Sequence, residues 1–269
     1  MSTQPTLFIS HGSPMHAVQA GRAGALWTEL GKRLPRPAAI LIASAHWETK
    51  LPMVATSRSP ETIHDFGGFP PELYRIRYPA PGAPQAAEHA LTLLREAGFT
   101  ATANGSRGLD HGAWVPLLKM YPDADVPTAQ VSVQPTLGAD HHLKLGAALA
   151  PLARDNVLVI GSGHMTHNLG DWMHTLQGRG RAIVEGGPVP YVEEFRAWVD
   201  ARLQTNDRAD LVRYRELAPN ARRAHPTDEH FLPLFVAWGA AGATPKVERL
   251  DPGVDSGVLA MDSYLFWPL

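Results

Sequence analysis

The sequence predicts an α/β fold, a single domain with a mostly parallel central sheet flanked by helices. Apolar runs that are typical of strands alternate with amphipathic segments along all 269 residues. Three of these runs end in small residues followed by a histidine, at His11, His46 and His164. Because functional groups in open α/β sheets gather outside the carboxyl ends of strands, we expect a metal or catalytic site at that edge.

The first elements are predicted from two apolar runs and the segment between them. Residues 6–10 (TLFIS) form a strand, and the amphipathic segment 21–34 forms a helix that RLPRP ends. Residues 38–45 (AAILIASA) are almost continuously apolar and lie between a proline and the polar HWET, which is typical of a buried central strand. Residues 53–56 are predicted to form a short neighbouring strand.

A long loop follows, at residues 58–82. It is rich in aromatic and charged groups, and loops of this length in compact domains are commonly lids or binding loops. Residues 84–98 are predicted to form a helix, because apolar residues recur at helical spacing before the glycine that ends it. A strand at 100–103 and a helix at 113–120 come next.

The middle of the chain adds two strands around a long helix. Residues 128–133 (TAQVSV) alternate like a strand, and residues 137–154 are predicted as one continuous helix. Residues 157–160 (VLVI) form a buried strand that opens into GSGHMTHN, where GSG indicates a loop.

The last third of the chain is predicted to close the sheet. The segment AHPTDEH (224–230) opens a helix, with Thr227 as its N-cap and His230 in its first turn. The remaining elements are two surface helices and two closing strands, at 189–204, 207–217, 246–250 and 258–266.

Composition limits the classes of partner. The formal net charge of −2, the pI near 6.7 and the scattered Lys and Arg argue against nucleic acid or an anionic membrane. No apolar stretch reaches the roughly 18 residues of a membrane span, and MSTQPTLFIS lacks the regions of a signal peptide. We therefore expect a cytoplasmic protein with a small-molecule substrate, while no oligomeric state is predicted.

The chain has no cysteine, so a metal must be held by imidazole, carboxylate or water. His11 and His46 are the strongest candidates, because imidazole is a common ligand of zinc and non-haem iron and strand ends are rigid. Two imidazoles need a third protein ligand. The candidates for this third ligand are His225, Asp228, Glu229 and His230.

The remaining histidines have weaker or open assignments. His167 or His164 is a candidate general acid/base, whereas Asp110 and His111 are either an orienting pair or part of a helix cap. GSG lacks the spacing and lysine of a P-loop, and no G-x-S-x-G motif supports a serine nucleophile. The histidines expected to be solvated or capping are His89, His141, His142 and His174.

Six segments, in this order, resemble the class III extradiol ring-cleaving dioxygenases, specifically the DOPA 4,5-dioxygenase branch. They are SHGSPMHAV, ASAHWET, TIHDFGGFPPELYRIRYPAPG, GLDHGAWVPLLKMYPDADVPTAQVSV, VIGSGHMTHNLG and HPTDEHFLPLFVAWGAAG. The resemblance covers most of the chain, and residues 170–224 match least. It implies that residues 1–269 form a single extradiol dioxygenase-like catalytic domain.

The resemblance also implies roles for individual residues. His11, His46 and His230 would bind the metal, His167 would be the acid/base, and His111 would contact substrate or a bound oxygen species. Ring-cleaving relatives outside this branch complete the triad with a glutamate, which makes Glu229 the alternative third ligand. His164 stands where this branch is expected to have another residue, so it is either a bystander or shares the role of His167.

The implied activity is Fe(II)-dependent, non-haem cleavage of a catechol ring by O2, beside the two hydroxyls, to a muconic semialdehyde. Zinc can replace iron in such a nitrogen-rich site. The residues of the long loop that would cover the substrate are His64, Phe66, Tyr74 and Arg75. The alternatives are a zinc-dependent hydrolase that uses the same histidines and a protein without enzymatic activity.

Overall fold

The structure, a computed structural model, describes residues 4–175 and 185–268. Within those ranges the strands are β1 (Thr6–Ser10), β2 (Ala39–Glu48), β3 (Met53–Ala55), β4 (Thr102–Asn104), β5 (Thr128–Val133), β6 (Val157–Gly163), β7 (Glu185–Gly186), β8 (Lys246–Leu250), β9 (Val254–Asp255), β10 (Leu259–Ala260) and β11 (Ser263–Trp267). The α-helices are α1 (Gly21–Arg33), α2 (Pro84–Glu96), α3 (His111–Met120), α4 (Gly138–Leu149), α5 (Leu169–Thr175), α6 (Pro190–Gln204), α7 (Arg208–Leu211), α8 (Tyr214–Leu217), α9 (Ala221–Ala224) and α10 (Leu232–Ala240).

Eight strands form the central sheet, in the order β4-β3-β5-β2-β6-β1-β11-β8. The four strands at its centre, β5, β2, β6 and β1, are all parallel. In this sheet, the antiparallel pairs of the described strands lie toward the edges, where β3 meets β5, β1 meets β11 and β11 meets β8. This arrangement confirms the predicted α/β fold with a mostly parallel central sheet, and it aligns the carboxyl ends of the four central strands.

Helices cover both faces of the sheet, and β2 shows why its sequence is almost continuously apolar. Ile40 and Ile42 pack on one face against residues of α1 and α3, including Trp27 and Trp114. Leu41 lies on the opposite face, in the core formed with α2, α4 and α10. Because successive side chains of a strand point to opposite faces, a strand buried on both faces needs apolar residues at every position.

Some predicted boundaries were wrong, for local reasons. The predicted helix 137–154 is divided into α4 and 3-10 turns, because Gly138 has φ +70° and a proline follows the end of α4. The predicted helix 207–217 is two short helices, α7 and α8. The segment 224–230 precedes α10 without being part of it, so Thr227 is not its N-cap and His230 is not in its first turn.

GSG was also misinterpreted as a loop, because it forms the end of β6. A Cβ atom on Gly161 would lie 2.0 Å from the carbonyl oxygen of Pro233, and one on Gly163 would lie 2.1 Å from that of His230. Both glycines therefore allow the chain that leads into α10 to lie directly on the sheet. None of the helices in the described part of the chain has the length and apolar character needed to cross a membrane.

Candidate metal centre

Three histidine side chains converge at the carboxyl edge of the central sheet. His11 follows β1 directly, His46 lies near the end of β2, and His230 lies just before α10. Nε2 of His46 is 3.1 Å from Nε2 of His11 and 3.3 Å from Nε2 of His230. The sheet thus brings together imidazoles from three distant parts of the chain.

Backbone contacts fix two of these residues. The N–H of His11 donates to the carbonyl of Gly163 at 2.9 Å, so strand pairing continues to this residue, and Gly12 (φ +66°) then turns the chain away. The carbonyl of His230 accepts from the N–H of His164 at 2.7 Å. The residue that precedes His164 is Gly163, which has no side chain, so the backbone of His230 can lie directly against the sheet edge.

Each of the three rings has an oxygen atom beside Nδ1. The pairs are His11 with Ser162 Oγ at 3.0 Å, His46 with Asp65 Oδ2 at 3.2 Å, and His230 with Glu229 Oε1 at 2.8 Å. Ser162 donates its hydroxyl hydrogen to the carbonyl of Gly112, so its oxygen accepts from His11. Ionised carboxylates can only accept, so Nδ1 of His230 carries the ring proton, and the ion-pair contact of His46 Nδ1 with Asp65 favours the same form for His46.

The resulting donor set fits a divalent metal ion. With Nδ1 protonated, each of the three neutral rings carries its lone pair on Nε2, and Nε2 of His46 lies close to that of His11 and to that of His230. Such lone pairs repel unless a cation lies between them. Metal–nitrogen bonds of about 2.1 Å at right angles would separate adjacent nitrogens by about 3.0 Å. The observed 3.1 and 3.3 Å are close to that value. Nitrogen ligands on one face suit iron or zinc.

Burial keeps the three imidazoles neutral, which is the form that binds metals. It lowers the pKa of His11, His46 and His230 well below the usual value, and neighbouring histidines lower each one further. Burial opposes ionisation of Asp65, but the hydrogen bonds from the ring and backbone N–H of His111, with the nearby ring of His46, hold the pKa of this carboxyl below its usual value. The site therefore combines neutral rings with an ionised carboxylate.

Two further histidines lie beside the converging nitrogens. The ring of His167 stacks on that of His230, with centroids 3.5 Å apart and planes 12° apart. Burial lowers the pKa of His167 to about 3, with smaller contributions from His46 and His111, so its ring is neutral at pH 7. The ring centroid of His111 is 4.0 Å from that of His46. Both rings can therefore face a molecule bound between them.

These histidines open into a cavity of about 260 Å³, close to the lower end of the range for small-molecule sites. Its lining residues are His11, Gly12, Ser13, Pro14, His46, Asp65, Phe66, Gly67, Phe69, His111, His164, His167, Leu169, Trp172, His230 and Leu259. Its polar groups are concentrated on the sheet edge, while the long loop and α5 supply aromatic and aliphatic walls. Such a division suits a flat aromatic ligand with polar atoms along one edge.

The four loop residues predicted to cover a substrate are placed differently from one another. Phe66 lines the cavity and meets His111 edge to face. His64 bonds the carbonyl of Ile76 through Nε2 at 3.0 Å, and Tyr74 contacts the backbone of the same loop through its hydroxyl group. His64, Tyr74 and the exposed Arg75 are not among the lining residues.

The other candidates for the third ligand point elsewhere or bind His230 itself. Nε2 of His225 donates to the carbonyl of Met165 at 2.8 Å. Asp228 accepts from the hydroxyl of Tyr214 at 2.6 Å. Glu229 uses Oε1 to accept from His230, so the convergent nitrogen next to His46 belongs to His230.

Asp65 and Ser162 were not recognised from the sequence as members of the site. The backbone of Ile63 donates to Leu109 and that of Leu109 donates to Glu61, each at 2.7 Å, which holds the long loop against the segment before α3. This pairing brings Asp65 to His46 and His111. The only local signal was its position inside the conspicuous segment TIHDFGGF, and the contact itself depends on the fold.

Comparisons with known proteins agree along nearly the whole chain. The family model described as the catalytic LigB subunit of aromatic ring-opening dioxygenase matches residues 5–265. A protein of Beta vulgaris named 4,5-DOPA dioxygenase extradiol is 42% identical over 97% of this chain and 96% of its own. One with the same name from Escherichia coli K12 is 37% identical over 96% and 92%. The crystal structure of an uncharacterized protein from Escherichia coli K12 matches with a TM-score of 0.75 and 32% identity, over 97% and 99% of the two chains.

Proposed function

The chain belongs to the family of the catalytic LigB subunit of aromatic ring-opening dioxygenases, in its 4,5-DOPA extradiol dioxygenase branch, and we propose that it uses Fe(II) and O2 to cleave a catechol to a muconic semialdehyde. The observation that carries the iron proposal is the position of His46 Nε2, 3.1 Å from Nε2 of His11 and 3.3 Å from Nε2 of His230, beside a cavity with apolar walls. In this proposal residues 1–269 act as a single catalytic domain.

His11, His46 and His230 would hold the metal through Nε2. Fe(II) bound there would supply open coordination positions on one face, Lewis acidity and electrons for the reaction with O2. Ser162 and Glu229 accept from Nδ1 of His11 and His230, and Asp65 pairs with Nδ1 of His46, so all three contacts favour the ligating tautomer. Partners of this kind orient the ligands and strengthen metal binding.

His167 is the proposed acid/base. Its neutral ring can accept the proton that a catechol hydroxyl loses on binding, and it can return that proton to the ring-opened product. Because the ring stacks on that of His230 at 3.5 Å, it would lie beside a substrate bound at the metal. The anionic substrate would also raise the affinity of this buried ring for a proton.

His111 is the proposed substrate contact on the opposite side. Asp65 binds both its Nδ1 and its backbone N–H, so the ring has one orientation in the cavity. Phe66, Phe69 and Trp172 cover the aromatic ring of the substrate and keep water from the reacting atoms.

The test is reconstitution with Fe(II) under anaerobic conditions, followed by mixing with oxygenated buffer and a panel of catechols, DOPA among them. We expect stoichiometric O2 consumption, a yellow product and incorporation of both atoms of 18O2. The variant His11→Ala should abolish O2 uptake and metal retention together. His89→Ala is the matched control, because this partly exposed histidine pairs with Asp155 and is not among the lining residues of the cavity.

The result also separates iron from zinc chemistry. If the Fe(II) protein consumes no O2 with any catechol, whereas the Zn(II) protein hydrolyses esters or amides, the function is that of a hydrolase and the dioxygenase proposal is rejected.

A further inference from the structure

Asp65 occupies an unusual position between two histidines of different proposed roles. Its Oδ2 is 3.2 Å from Nδ1 of His46, and its Oδ1 is 3.0 Å from Nδ1 of His111. The same Oδ1 accepts from the backbone N–H of His111 at 2.9 Å. One carboxylate therefore contacts a candidate metal ligand and the candidate substrate contact.

The chemistry of a carboxylate makes this bridge selective. An ionised carboxylate has no hydrogen to donate, so each neutral imidazole that bonds to it must carry its proton on Nδ1. The lone pair of each ring is then on Nε2. For His46 this is the nitrogen that faces His11 and His230. For His111 it is the ring atom left to face the cavity.

The local fold keeps the carboxylate in place. The carboxylate of Asp65 lies against the N-terminus of α3, next to its first residue, His111. The backbone N–H groups at a helix N-terminus and the helix dipole favour a negative charge there. Asp110 already accepts from the N–H of Ala113, so the two aspartates bind different N–H groups of this helix end.

Building on the proposed function, we propose that Asp65 is a positioning residue that fixes His46 and His111 together as Nδ1–H tautomers. His46 thereby presents a lone pair to the metal, and His111 presents a hydrogen-bond acceptor to a substrate hydroxyl. The long loop that carries Asp65 thus determines the proton position on both rings.

The substitution Asp65→Asn tests this bridge with little change in shape. An amide has one acceptor oxygen and one NH2 group, so it can accept from only one of the two rings and turns N–H donors toward the other. Because bound metal requires the Nε2 lone pair of His46, the oxygen is expected to turn to His46 and the NH2 group to His111, which also removes the acceptor of the His111 backbone N–H. His111 should then change to the Nε2–H tautomer.

The direct measurement is long-range 1H–15N NMR on Zn(II)-loaded protein labelled with 15N-histidine, with signals assigned through His111→Gln and His46→Gln. In the wild type both rings should be Nδ1–H tautomers. In Asp65→Asn the His111 signal should move toward the Nε2–H tautomer, and the Zn(II) dissociation constant should rise about 10- to 100-fold. Glu72→Gln is the matched control, because it removes one charge from the same loop at an exposed position.

Two outcomes would overturn the inference: an Nε2–H tautomer for His111 in the wild type, or wild-type Zn(II) affinity and tautomers in Asp65→Asn. Kinetics of the Fe(II) enzyme add an independent test. If Asp65 acts through His111, the double variant Asp65→Asn/His111→Ala should lose little more kcat/KM than the worse single variant. Additive losses would contradict a shared role. Since the NMR and affinity measurements need no turnover, failure of the dioxygenase proposal would be recognised separately.

Discussion

Gly163→Ala tests whether the close approach of the backbones at Gly163 and His230 sets the position of His230, the proposed third ligand. The added Cβ would lie 2.1 Å from the carbonyl oxygen of His230, whereas ordinary contact begins at 3.4 Å, so the two segments must separate by up to 1.3 Å. The atoms in conflict are backbone atoms, and rotation of a side chain cannot relieve the overlap.

The displacement is large compared with the tolerance of a metal site. Ligand distances in such sites hold to within about 0.2 Å, and His230 is the residue whose carbonyl must move. We therefore expect metal affinity to fall at least about 100-fold, while overpacking costs about 1–3 kcal/mol of stability. The protein should remain folded, because the sheet and the cores on both faces do not depend on this contact.

The assay is competition for Zn(II) with a chromophoric chelator, with circular dichroism and thermal unfolding to verify the fold. Gly105→Ala is the control, because a Cβ atom at that position meets no heavy atom within 4 Å. If folded Gly163→Ala binds Zn(II) within about three-fold of the wild type and of Gly105→Ala, then the close approach does not position His230.

Three other substitutions give distinct expected results. His230→Ala should lose the metal, whereas Glu229→Ala should keep three ligands and bind metal about 10- to 100-fold more weakly; complete loss with Glu229→Ala alone, measured by metal analysis, would reassign the third ligand. His167→Ala should retain metal in the same analysis but lose most turnover, and turnover near wild type would remove it as the acid/base. Burial lowers the pKa of His142 in the folded protein to about 4, below the value near 6.5 in the unfolded chain. His142 therefore leaves the free energy of unfolding unchanged above pH 6.5 and lowers it as the pH falls from 6.5 toward 4. The loss is about 2.5 kcal/mol at pH 4.5, and urea unfolding should show a correspondingly smaller decrease from pH 6.5 to 4.5 in His142→Gln.

The parts of the fold that depend on local pattern could be predicted from the sequence. Residues 38–45 were interpreted as a buried central strand, and β2 lies at the centre of the sheet with both faces covered. The histidines after β1 and within β2 were expected at the same sheet edge, because the carboxyl ends of parallel strands lie together.

Other features could not be predicted, because glycine and aspartate have several roles that look alike in a sequence. Gly161 and Gly163 resemble turn residues, but they lie in a strand and accommodate another segment of backbone. Asp65 became recognisable only when pairing of the long loop with the segment before α3 brought it to His46. Similarly, the sequence could not show that Glu229 accepts from Nδ1 of His230 while Nε2 of His230 lies beside His46, which is the arrangement that favours His230 as the proposed ligand.

The cavity has two structural sources, and they are not equally free to change in evolution. The imidazoles of His11 and His46, which are proposed to bind the metal, come from the edge of the sheet, whereas Phe66 and Phe69 come from the long loop. Substitutions at the two phenylalanines can alter which ring substituents fit while the metal ligands remain intact. Asp65, one residue before Phe66, pairs with the proposed ligand His46 and does not share this freedom. Diversification of substrate range within this scaffold is therefore expected to proceed around a fixed aspartate.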